Sequence, residues 1–204
     1  MIKKILLLLI SVLLVYGFSG LTHKENDDLQ KKIADKILRF HVIANSDSDG
    51  DQALKLKVKD AVVEFMKPLL SNCDDVHKSK EIVKAYESHI LSVAQNVIRE
   101  NGYNYDVHIN YENCYFPAKK YGDISFPPGN YDAIRIYIGK HQGKNWWCVL
   151  YPPLCFVDCV NSVVPDESKE QLECVLGYDD YRRLIYGCDD VEVEYQFKIL
   201  KFLN

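Results

Sequence analysis

The chain has 204 residues, 48% of them hydrophobic and 26% charged, with a formal net charge of −4. That hydrophobic share excludes a disordered chain, and the length suits one domain with a substantial core. A mildly acidic balance, with no Lys/Arg-dense run beyond the N-terminus, argues against nucleic acid as a partner, because binding there rests on neutralised phosphates.

The N-terminus has the order of an export segment. Lys3 and Lys4 are followed by a 14-residue apolar run from Ile5 to Phe18, and Gly17, Ser19 and Gly20 supply small residues for a signal peptidase. A spanning helix usually needs roughly 20 apolar residues, so the length favours a cleaved signal over a retained anchor. Either outcome places the remainder outside the cytoplasm. The expected organisation is a signal peptide or membrane anchor at 1–20, a polar tether at 21–34, and a single domain at 35–204. Membrane contact is expected only through the N-terminal segment.

The first strand is read over Ile37–Ala44, where Leu38, Phe40 and Val42 alternate with Arg39 and His41. The polar loop from Asn45 to Asp51 follows and supplies caps for a helix over Asp51–Leu70, whose stripe is Leu54, Val58, Ala61, Val62, Phe65 and Leu69. A second helix is expected over Ser79–Glu100. Strict alternation from Tyr103 to Tyr111 predicts a strand with one buried face. After a Pro/Gly-rich loop, strands at 131–138 and 145–151 read as a hairpin joined by the turn at 139–144. Residues 166–186 hold one or two short helices, and Val191–Ile199 alternates as a closing strand. This order predicts an α+β fold: an antiparallel or mixed sheet of about five strands, with two longer helices covering one face.

Motifs for catalysis are missing. Asn45, Asp47, Asp49 and Gly50 match the first half of a calcium loop, but its twelfth position, which needs a bidentate Glu, is Leu56. Lys55 and Lys57 add positive charge, so a helix cap is the better reading. The seven cysteines leave at least one unpaired, and the C-x3-C pair Cys155/Cys159 has no second ligand pair beside it. No G-x-S-x-G, H-E-x-x-H or phosphate-binding loop occurs. No catalytic residue, metal or cofactor is therefore expected. His41 and His108 fall on the polar faces of strands, where a solvated or hydrogen-bonded role is expected.

One stretch, Asn145 to Asp158, stands apart. Both tryptophans, Trp146 and Trp147, are adjacent there. On a strand they point to opposite faces, so one fills the core and the other meets a helix, a loop or a partner. Pro152 and Pro153 fix the backbone beyond, and Cys148 and Cys155 bracket the corner and could be bonded across it.

NWWCVLYPPLCFVD resembles the signature of the stage II sporulation protein R family. Residues 38–60 (LRFHVIANSDSDGDQALKLKVKD), the segment PPGNYDAIRIYIG and the closing VEVEYQFKILKF are similar to the same family. The resemblance implies an exported forespore protein acting in the space between forespore and mother cell. There it would be required to activate a membrane-embedded aspartic protease that processes pro-sigma-E. Its partner would be the extracytoplasmic face of that protease, and the chain would be a ligand-like activator without enzymatic activity. Arg39, His41, Asp47, Asp51, Asn145, Trp146 and Trp147 are the candidates for the contact, as polar or aromatic groups that the pattern leaves near surfaces. The rival readings are an exported thiol- or metal-dependent hydrolase acting on cell wall, and a passive protein of the spore envelope.

Overall fold

The computed structural model describes residues 28–71, 73, 75–155 and 164–186. The expected export segment, the first part of the expected tether and the expected closing strand lie outside the described residues. The described elements run α1 (28–34), β1 (Leu38–Ile43), α2 (Asp49–Leu70), α3 (Val76–Ala85), α4 (Glu87–Glu100), β2 (Val107–Phe116), β3 (Lys119–Tyr121), β4 (Ile124–Phe126), β5 (Gly129–Ile138), β6 (Asn145–Tyr151), α5 (Asp166–Leu176) and α6 (Tyr178–Tyr186). The fold is α+β. A mixed four-stranded sheet has the order β2-β5-β1-β6, and β3 and β4 form a separate antiparallel pair. Among the described residues no helix is long and apolar enough to cross a membrane.

Alternation along β1 places its two residue sets on opposite faces. Leu38, Phe40 and Val42 join Ile134, Ile136, Ile138, Cys148 and Leu150 in a core closed by the apolar stripes of α2, α3 and α4. The opposite face also carries a core, built from Ala133 and Val149 with Leu29, Ile33, Phe116, Phe126, Tyr131, Leu172 and Leu184. The sheet is therefore covered on both faces, not on one as the sequence suggested. The second cover comes from short elements, α1, β3–β4, α5 and α6, whose periodicity is too brief to announce a layer. Within it, residues 28–34 of the expected tether are helical, with Leu29 and Ile33 buried.

Three further expectations are corrected. The helix expected over Ser79–Glu100 is two helices that meet at Tyr86, where φ is −101° and ψ 10°. Asp75 opens the first of them by accepting from the Lys78 amide at 2.9 Å. The strand expected from Tyr103 begins only at Val107 and runs on to Phe116. Lastly, β5 and β6 are not a hairpin. β1 lies between them, parallel to β5 and antiparallel to β6, so that Arg39 stands opposite Ala133 on one side and His41 opposite Trp147 on the other.

The turn at 139–144 crosses the end of β1 to make this possible. Neighbouring strands lie about 4.8 Å apart, so skipping one spans about 10 Å, well within the reach of six residues. The crossing is pinned by the Gly143 amide donating to Ala44 O at 3.0 Å and the Gln142 amide donating to Asn45 O at 3.2 Å. A Cβ on Gly143 would collide with the Ser46 carbonyl oxygen, a backbone atom that cannot swing aside. Gly143→Ala is expected to lower stability to urea by about 1–3 kcal/mol, the usual result of overpacking. An unchanged midpoint would contradict the crossing.

Candidate functional site

Arg39 is on β1 and faces the second core, with 0% of its surface exposed. Its guanidinium carbon lies 4.5 Å from the ring centroid of Phe116, 5.2 Å from those of Phe126 and Tyr131, and 6.0 Å from that of Tyr121. Nη2 donates to the Tyr121 hydroxyl at 3.3 Å, while Nε and Nη1 have no hydrogen-bond partner among the described residues. No carboxylate pairs with it there. Burial pulls its pKa below the ordinary arginine value, opposed by Tyr121 and Tyr131. Burial also pushes the Tyr131 hydroxyl up to about 12 and the Cys114 thiol upward, so neither supplies a negative charge at neutral pH.

The magnitudes leave a deficit. Burying one ion costs several kcal/mol even after relaxation. Cation–π contacts return about 0.5–2 kcal/mol each, and each orphaned donor costs a further ~1–3 kcal/mol. The aromatic cage offsets much of the burial but cannot satisfy the N–H groups of Nε and Nη1.

His41 stands two residues along the same face, 1% exposed. Its ring stacks on Trp147 at 3.7 Å between centroids, with 15° between the planes. Arg135 Nε donates to its Nδ1 at 3.0 Å, and Arg135 in turn pairs with Glu112 at 2.8 Å. Glu112 also accepts from the Tyr137 hydroxyl at 2.7 Å. With Nδ1 an acceptor, the neutral ring carries its proton on Nε2. That N–H is buried and makes no hydrogen bond of ordinary geometry, although the Asn145 side chain stands close enough to interact with the ring. Burial first, then the Arg135 charge, lowers the His41 pKa from 6.5 to about 3, against a smaller pull from the Asn145 side chain. Lys119, half-buried on β3, lies 5.8 Å over Trp147, and burial and Arg39 lower its pKa.

The acidic loop forms a second cluster with a structural role. Ser48 caps α2 by accepting from the Asp51 amide at 3.2 Å. Asp51, 5% exposed, accepts from Asn45 Nδ2 at 2.8 Å and Ser46 Oγ at 2.5 Å. Asp47 accepts from the Lys144 amide at 2.6 Å, and Lys55 donates to Lys144 O at 3.2 Å. These bonds fasten the loop to the crossing turn. Trp146 points to the other face of the sheet, where Lys59 lies 4.8 Å over its ring. Cys148 and Cys155 are disulfide-bonded, with 5.5 Å between their Cα atoms, and close the corner after β6.

The model of the stage II sporulation protein R family matches residues 34–161. The stage II sporulation protein R of Bacillus subtilis (strain 168) is 34% identical over 161 residues, covering 76% of this chain and 72% of its own length. The chain belongs to the stage II sporulation protein R family. No solved structure matches the chain. The family match takes in β1 to β6 and therefore both clusters, while α5 and α6 lie beyond it. Two of the segments that carried the resemblance meet in space, because β1 of 38–60 pairs with Asn145–Tyr151.

Of the seven candidate residues, the structure gathers Arg39, His41 and Trp147 into one cluster, and Asp47 and Asp51 into another. Asn145 sits opposite Ile43 on the exposed end of β6. Arg39, His41 and Asp51 are not surface groups, which corrects their placement. A second core covers the first two, and a ring of loop donors encloses the third. Sequence reasoning missed Tyr121, Lys119, Arg135 and Glu112. The polar positions of the alternating 131–138 strand could have pointed to Arg135, whereas nothing in the loop around Lys119 and Tyr121 carried a signal.

The pKa of His41 has a consequence for stability. Below pH 6.5 the unfolded chain takes up a proton at this residue and the native state does not, until about pH 3. The contribution is therefore complete above pH 6.5 and is lost as the pH falls. Between pH 7 and 5 the loss is about 2 kcal/mol. Urea unfolding at both pH values should show His41→Gln losing less stability on acidification than the parent by about that amount. Equal losses would contradict the neutral, buried ring.

Proposed function

We propose that this chain is an exported sporulation signal that binds the extracytoplasmic face of a membrane-embedded aspartic protease and so activates processing of pro-sigma-E. Membership of the stage II sporulation protein R family across residues 34–161 carries this reading. The basic and then apolar order of residues 1–20 supports it, because a signal received beyond a membrane has to cross that membrane.

The chemistry of the described residues supports an activator over a hydrolase. A thiol nucleophile needs a lowered pKa, and burial moves the Cys114 thiol in the opposite direction. His41 stacks on Trp147 and accepts from Arg135, an arrangement that fixes the ring and leaves it a poor base.

Deleting residues 1–20 from the chromosomal copy should leave pro-sigma-E unprocessed in sporulating cells, as read by immunoblot. An unrelated signal peptide fused to the remainder should restore processing. Normal processing by the truncated chain would remove the export requirement and the proposal with it.

A further inference from the structure

The described residues carry four buried side-chain polar atoms without a partner. The Trp146 indole nitrogen is alone on the first face of the sheet. The other three, Arg39 Nε, Arg39 Nη1 and His41 Nε2, belong to alternate residues of β1 that share the second face. All three are donors. Tyr121 takes one hydrogen of Arg39 Nη2. A guanidinium has two edges of paired N–H groups, Nε/Nη2 and Nη1/Nη2, so one complete two-donor edge is left.

We infer that Arg39 and His41 form a receptor for a single carboxylate, supplied by an acidic side chain of the membrane partner. A planar carboxylate matches a two-donor guanidinium edge, and its remaining lone pairs can accept from His41 Nε2–H. The surrounding charge favours an anion: Arg39, Lys119 and Arg135 stand near one another, and the carboxylate among them, Glu112, is already engaged by Arg135 and Tyr137. The β3–β4 hairpin is the cover. Tyr121 and Lys119 are only half-buried over Arg39, and the Tyr121 hydroxyl fastens the hairpin to β6 by donating to Trp147 O at 3.0 Å. Arg39 and His41 are 0% and 1% exposed, so a carboxylate reaches them only when this hairpin lifts.

The assignment of the carboxylate to the protease rests on the function proposed above, whereas the receptor does not. The purified full-length chain should be titrated with N-acetylglutamate α-amide, whose one carboxylate is that of the side chain, and in parallel with inorganic phosphate, at ionic strength held constant with chloride. Tryptophan fluorescence and the NMR resonance of the Arg39 Nε–H report occupancy. A saturable response is expected, with its midpoint raised at least tenfold in Arg39→Gln and a few-fold in Lys119→Ala. The Arg39 resonance in the parent chain needs no variant and settles occupancy even where Arg39→Gln fails to fold. No saturable shift of that resonance overturns the receptor, and a lower midpoint for phosphate overturns the carboxylate class. In sporulating cells, exported Arg39→Gln should leave pro-sigma-E unprocessed. Normal processing would overturn the partner assignment alone, and the deletion of residues 1–20 tests the signalling role separately.

Discussion

Arg39 places a full positive charge at 0% exposure on an inner strand, and much of the second face is arranged around it. Phe116 comes from β2, Phe126 from β4 and Tyr131 from β5, and all three rings converge on one guanidinium. The small β3–β4 pair holds its place by the same contact, since Tyr121 accepts from Arg39 and donates to the backbone of β6. Rings are a good surrounding for a cation but a poor sink for its hydrogen bonds. The cage therefore explains how the charge is tolerated and leaves open valences that an acceptor would fill.

The topology supplies the second constraint. β1 can be an inner strand only if β6 reaches its far edge, and the turn from Gly139 to Lys144 must then cross the end of β1. The acidic loop is the fastening of that crossing. Asp47 holds the Lys144 amide, the Asn45 side chain holds the Lys140 amide at 2.9 Å, and Asp51 holds Asn45 and Ser46 in place. Residues that looked like a cation loop or a partner contact thus set the register that puts His41 opposite Trp147. The Cys148–Cys155 bond secures the other end of β6.

Much of this was legible in the sequence. The stripe of α2, a side-chain cap from the Asn45–Asp51 loop, the cysteine pair around the proline corner, the α+β class and the family resemblance all follow from local pattern. Pairing did not follow, because two consecutive strands joined by a short turn look the same whether they are neighbours or have a third strand between them. The burial of Arg39 and His41 was also hidden. Alternation marks a polar face, and a polar face against solvent has the same period as one against a second layer. That layer is made of a helix of seven residues, a pair of three-residue strands and two short helices, none of which is long enough for its period to announce a layer. The break at Tyr86 escaped notice because the apolar spacing continues through it.

The central claim is that Arg39 is kept for what it binds and not for what it stabilises. Replacing a buried charge that lacks a counter-ion by an apolar side chain of similar length should be neutral or stabilising, whereas removing one member of a satisfied buried pair costs about 3–5 kcal/mol. Equilibrium urea unfolding of Arg39→Met in the absence of any partner decides between them. The account predicts a stability within about 1 kcal/mol of the parent chain, or higher. A loss of about 3 kcal/mol or more would show that the guanidinium is a satisfied structural group and would contradict it.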